Sequence, residues 1–156
     1  MCSIVGLQGN FKADDLIAML KTSKSRGKDA SGIFLDGKIQ KGIDLNDFDD
    51  NNTYSLGLGH NLLAVHNLEN RTSHTQPIAK NSLTLVFNGE IYNLPDLKQQ
   101  LASLGYTFRT TSDTEVLLLS FLEYGPDFVK QVDGIFSFAV YDERHETIYL
   151  FRDYFG

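Results

Sequence analysis

Tryptophan is absent from the 156 residues, proline occurs three times, and cysteine occurs once, at position 2. One cysteine excludes an intramolecular disulfide, and a thiolate metal site normally recruits several partners. No apolar run approaches the ~20 residues needed to cross a bilayer. The first residues lack the basic flank and apolar core of a secretion signal. The charge balance is short of cations: 14 Lys and Arg against 20 Asp and Glu, net −6. That argues against nucleic acid or an anionic membrane surface as a partner. The cytoplasm is the default compartment, where a thiol stays reduced. With 42% hydrophobic and 22% charged residues, the length is most simply one domain with a sizeable core.

What is present is organised as strands, then helices, then strands. Ser3–Gln8 is β-rich and Gly-punctuated, and predicts a strand beginning almost at the terminus. Leu16, Ile17, Met19 and Leu20 give a short amphipathic helix over 14–24. Ile33-Phe34-Leu35 leads into a hairpin turn at Asp36-Gly37. Residues 44–53, rich in Asp and Asn, read as a solvated loop without the spacing of a calcium loop. Strands are expected over 56–65, 82–87, 135–141 and 147–151. Asn93 is placed to cap a helix over 94–104, ended by Gly105. Ser112 and Glu115 have capping-box spacing for a helix reaching Tyr124 and stopped by Gly125-Pro126. Hairpins in place of regular βαβ alternation favour an α+β fold with largely antiparallel sheets.

Three stretches carry chemistry. If Met1 is removed, Cys2 holds a thiol and a free α-amine on one residue. Their reference pKa values, near 8.5 and 7.7–8.0, let the amine take the thiol's proton. Nucleophile and base are then built into a single residue; the alternative is that position 2 merely tolerates cysteine. In Phe87-Asn88-Gly89-Glu90 a polar triplet follows a buried strand. The Asn88 amide and the Gly89 N–H are the two donors an oxyanion hole requires, unless Asn-Gly is simply a hairpin turn. In Ser112-Asp113-Thr114-Glu115, capping and helix-dipole compensation account for Ser112 and Glu115. Asp113 is left over, able to face a substrate ammonium. His60, His66 and His74 are irregularly spaced and read as packed or surface imidazoles, with no metal site.

Read in order, Cys2-Ser3-Ile4-Val5-Gly6, Arg26-Gly27-Lys28-Asp29-Ala30-Ser31-Gly32, Phe87-Asn88-Gly89-Glu90-Ile91-Tyr92-Asn93, Ser112-Asp113-Thr114-Glu115-Val116 and Arg152-Asp153-Tyr154-Phe155-Gly156 resemble the class II glutamine amidotransferase domain. Gly125-Pro126-Asp127-Phe128 and Asp133-Gly134-Ile135-Phe136-Ser137-Phe138-Ala139 fit the same family. The resemblance is specifically to the glutaminase half of glutamine-dependent asparagine synthetase, and it spans 1–156 as a single domain, which in that family continues further at its C-terminal end. It implies the N-terminal-nucleophile hydrolase fold, α+β in four αββα layers, with two stacked antiparallel sheets. It implies that the Cys2 sulfur attacks the glutamine side-chain amide, ammonia leaves, and water hydrolyses the thioester to glutamate. Asn88 and Gly89 would form the oxyanion hole, Glu90 and Asp113 would hold the α-ammonium, and Leu62, Leu63, Ala64, Val65 and His66 would line the α-carboxylate.

One position departs from that family. His60-Asn61-Leu62-Leu63 stands where the pattern is His-x-Arg-Leu, so Leu62 replaces the arginine that pairs the glutamine carboxylate. Arg71 is a candidate substitute. A different amide substrate is one alternative that Leu62 raises; a non-catalytic sensing or assembly module is the other. The chain has no Gly-x-x-x-x-Gly-Lys-Ser/Thr phosphate loop. It is therefore expected to need no cofactor of its own, ATP and Mg belonging to an absent synthetase domain, and not to make asparagine alone. The expected partners are glutamine and a synthetase domain or subunit as ammonia acceptor, with homodimer formation open.

Overall fold

Strand formation begins at the third residue. A computed structural model describes residues 2–48, 50–64 and 75–155, and its first strand, β1, covers Ser3–Lys12. It runs on past Gln8 because the ladder to its neighbour shifts register between Gln8 and Phe11. An irregularity of that kind bends a strand without ending it. Helix α1 follows at Ala13–Thr22 and buries Ala13, Leu16, Ile17 and Leu20. Its expected last residue, Lys24, instead begins a separate 3-10 turn, Lys24–Arg26. The Ser23 hydroxyl donates to the carbonyls of Met19 and Leu20, both at 3.2 Å, and such side-chain bonds compete with helix continuation.

Strand β2, Ala30–Leu35, is buried along its whole length and turns back through Asp36 and Gly37 into β3, Lys38–Gly42. Both turn residues have positive φ, 40° and 93°, the geometry of a tight two-residue hairpin. Strand β4, Thr53–Leu62, is central in an antiparallel sheet ordered β1-β4-β2-β3. The Asp- and Asn-rich loop before it differs from expectation. It holds a 3-10 turn at Leu45–Asp47, and Leu45 and Phe48 are buried in the core with α1 and β2. Two apolar residues spaced three apart anchor an otherwise polar loop.

The second sheet is ordered β5-β6-β7-β8, from Ile78–Lys80, Leu83–Ile91, Gly134–Asp142 and Thr147–Arg152. Each neighbouring pair is antiparallel. The three-residue β5 carries too little pattern to be read from sequence. Helices α2, Leu94–Ser103, and α3, Asp113–Tyr124, share one core with this sheet, including Leu85, Phe87, Leu117, Phe128 and Phe138. Two capping expectations change. Asn93 sits at the start of α2 without a side-chain cap; its amide instead donates to the Gln131 carbonyl at 2.8 Å and accepts the Asp133 N–H at 2.9 Å. Ser112 caps α3 through the Thr114 N–H at 3.1 Å. Glu115 completes no box with it, because its carboxylate takes the N–H groups of Arg109 and Thr110 at 3.0 and 2.8 Å.

The chain divides into two units, Met1–Pro77 and Ile78–Gly156, one around each sheet. Among the described residues no helix is long and apolar enough to cross a membrane.

Candidate active site

The candidate residues fall into two sets, one in each unit. In the N-terminal unit Cys2 lies half-buried, one residue ahead of β1. The Leu63 N–H donates to its sulfur at 3.4 Å, and Arg26 Nε donates to its carbonyl oxygen at 3.3 Å. Both ends of the residue therefore have a partner from elsewhere in the fold. The segment supplying Leu63 is itself tied down. Asp29 donates its N–H to the Leu62 carbonyl at 3.0 Å and accepts the Ala64 N–H on its carboxylate at 2.7 Å. Gly27 makes the approach feasible: a Cβ there would stand 2.4 Å from the Asn61 carbonyl oxygen. The stretch Arg26–Gly32 thus works as a clasp on the Leu62–Ala64 segment and on the nucleophile.

Leu62 is 8% exposed at the end of β4, and Leu63 is 37% exposed. The position expected to hold a guanidinium is therefore a covered apolar one. Val65, His66, Arg71 and His74 lie outside the described residues. His60 is fully buried, and neither ring nitrogen has a partner among the described residues. Burial, with Lys41 adding to it, lowers its pKa to about 3, so it is a neutral packed imidazole. Among the described residues no group of three His, Cys, Asp or Glu is placed to hold a metal ion.

In the C-terminal unit Asn88, Gly89 and Glu90 are not a turn. β6 continues through them, pairing Asn88 with Ser137, Gly89 with Phe136 and Glu90 with Ile135. The sheet leaves no room for a side chain at Gly89: its φ is +156°, and a Cβ would lie 2.2 Å from the Ile135 carbonyl oxygen. Asn88 is half-buried, and its Oδ1 is covered without a hydrogen-bond partner among the described residues. Asp113, the first residue of α3, accepts the Thr114 N–H at 3.0 Å. Burial raises its carboxyl pKa above the ordinary 3.8, against the pull of that N–H, and the charge of Glu90 raises it further. Two carboxylates of one unit thus feel each other, and a cation received by both relieves the cost of their charge.

Arg26 and Asp29 lie in a family-like stretch of sequence that assigns them no role, and the burial of the Asn61 amide emerges only in the fold. A polar residue in the apolar run Leu56–Leu62 was the available signal, because a covered amide must find partners.

The glutamine amidotransferase domain family matches residues 1–156. The chain belongs to that family. Relatives of this amidotransferase domain include asparagine synthetase [glutamine-hydrolyzing] 3 of Bacillus subtilis, 40% identical over 115 residues, covering 69% of this chain and 18% of that protein. Putative asparagine synthetase [glutamine-hydrolyzing] 1 of Methanocaldococcus jannaschii is 36% identical, covering 100% of this chain and 29% of that protein. The domain therefore spans less than a third of the length of these relatives. Among solved structures, glutamine phosphoribosylpyrophosphate amidotransferase from B. subtilis superposes with a TM-score of 0.74 at 24% identity, covering 92% of this chain and 35% of that one. A second, the allosteric regulatory enzyme of purine biosynthesis, gives 0.75 at 24% identity over 90% of this chain. These two show the fold: α+β, of the N-terminal-nucleophile amidotransferase type.

Proposed function

We propose that residues 1–156 act as one glutamine amidotransferase domain that hydrolyses the glutamine side-chain amide through Cys2. The observation that carries the reading is the double hold on Cys2, by Leu63 at the sulfur and Arg26 at the carbonyl. With Met1 removed, the α-amine takes the thiol proton and the sulfur adds to the amide carbon. The resulting oxyanion is received by the Asn88 amide and the Gly89 N–H. Collapse breaks the C–N bond, and the leaving nitrogen departs as ammonia with the proton held on the amine. Water then adds to the γ-glutamyl thioester, with the amine again as base, and releases glutamate and free thiol. Glu90 and Asp113 hold the α-ammonium, a role that fits the raised Asp113 pKa. The ammonia passes to a synthetase domain or subunit, in keeping with the asparagine synthetases among the relatives; ATP and Mg belong to that partner.

Leu62 favours a second reading within the same chemistry. A covered leucine at the carboxylate position suits an amide donor without a free carboxylate at that point. The deciding experiment measures glutamate release from glutamine by wild type and Cys2→Ala. Loss of release to background in the variant supports the proposal, and equal rates remove it.

A further inference from the structure

Asn61 is fully buried in β4, and every polar atom of its amide is engaged. Its Nδ2 donates to the Ser3 hydroxyl at 3.1 Å, to the Leu20 carbonyl at 2.9 Å and to the Ser23 hydroxyl at 3.2 Å. Its Oδ1 accepts the Ser31 hydroxyl at 2.7 Å. Ser3 and Ser31 are also its backbone register partners, on β1 and β2. One side chain thereby joins three neighbours: the start of β1, the start of β2 and the C-terminal end of α1.

Two of these neighbours, and Asn61 itself, lead within a few residues to a group that holds Cys2. Ser3 is peptide-bonded to it. Ser23 precedes the 3-10 turn that carries Arg26, whose guanidinium reaches the Cys2 carbonyl. Asn61 itself is two residues before Leu63, whose N–H meets the sulfur. The network continues outward, since the Lys24 ammonium donates to Ser31 Oγ at 2.9 Å. That leaves the Ser31 hydroxyl proton committed to Asn61, which fixes the sense of the amide. A buried amide whose two N–H hydrogens are shared among three acceptors, and whose oxygen is also bonded, has one orientation in a low-dielectric setting, and so do the groups it holds.

The geometry points to Asn61 as the positioning residue of the nucleophile, acting through Ser3, Ser23 and its own strand to hold the Cys2 sulfur and amine in their reacting arrangement. Asn61 is two residues from the sulfur's donor and fully covered, so its contribution falls on turnover and not on substrate binding. This inference rests on the glutaminase reading for its kinetic arm only.

The test uses the full chain as wild type, Asn61→Ala, Ser3→Ala, Ser31→Ala and the double serine variant, with rates expressed per folded molecule. Expected is a fall in kcat of about tenfold for Asn61→Ala and about threefold to fivefold for each serine variant, with glutamine KM within about twofold of wild type. The two serines act through one amide, so the double variant falls little below the worse single one. If Asn61→Ala does not fold, the serine variants carry the test. Because the chain has one cysteine, iodoacetamide labelling reports on Cys2 alone, and its rate is expected to drop about threefold in the variants. Unchanged kcat and unchanged labelling per folded molecule overturn the inference, as do losses that simply multiply. Should wild type release no more glutamate than Cys2→Ala, the glutaminase reading fails by itself. The labelling rates then still decide whether Asn61 positions Cys2.

Discussion

The two units hold their chemistry by different means. In the N-terminal unit the residues around Cys2 are fixed by directed bonds among the buried Ser3, Ser31 and Asn61. The C-terminal unit is filled with rings: Phe121 meets Phe128 and Tyr149 edge-on at centroid distances of 6.1 and 5.1 Å, and Phe138 stacks on Phe151 at 4.6 Å. Directed bonds suit a nucleophile that must keep one orientation. Non-directional packing stiffens β6 and leaves the Asn88 Oδ1 without a hydrogen-bond partner among the described residues. The difference teaches that a fold can aim one group by bonding it and leave another ready by bonding everything except it.

That contrast breaks most visibly at Asn88. Asn88→Ala is expected to lower kcat by about 10²–10³, the effect of removing one oxyanion donor. Its urea midpoint should hardly move, because Oδ1 has no partner to lose among the described residues. A large stability loss with unchanged kcat would make Asn88 a structural amide and remove it from the oxyanion site. Next in size is Leu62→Arg. A charge-assisted bond to the glutamine carboxylate is worth about 1.5–3 kcal/mol, so KM should fall about tenfold to a hundredfold. No gain in steady-state assays means the carboxylate is received elsewhere.

The smallest effect is in the pH dependence of stability. The Asp113 carboxyl pKa is raised in the folded protein, so the native state binds its proton more tightly than the unfolded chain does. Its relative stability is greatest below the unfolded value near 3.8 and falls as pH rises through the folded value. Asp113→Asn removes that decline, and denaturation midpoints across the acid range should be flatter in the variant. A steeper decline in the variant would contradict the assigned shift.

Much of this was legible in the sequence because local rules agreed with the fold. The Asp36-Gly37 turn, the α3 boundaries and the buried run before Asn88 follow from turn chemistry, capping and apolar pattern. Asn-Gly was ambiguous, because the same dipeptide serves a hairpin turn and an interrupted strand end. Only the pairing of β6 with β7 separates the two. The roles of Arg26, Asp29 and Asn61 were beyond local reading, since each depends on contacts between residues far apart in sequence. Leu62 was conspicuous through its departure from a family pattern, and its burial is what the structure adds.

The central claim is that the thiol and the unblocked amine of Cys2 act as one catalytic unit. Its most direct test is intact-mass spectrometry of the purified chain before and after an electrophilic glutamine analogue. The account predicts a mass lacking Met1 and a single added group on Cys2, with none on Cys2→Ala. A chain that retains Met1 and takes up no analogue would contradict it.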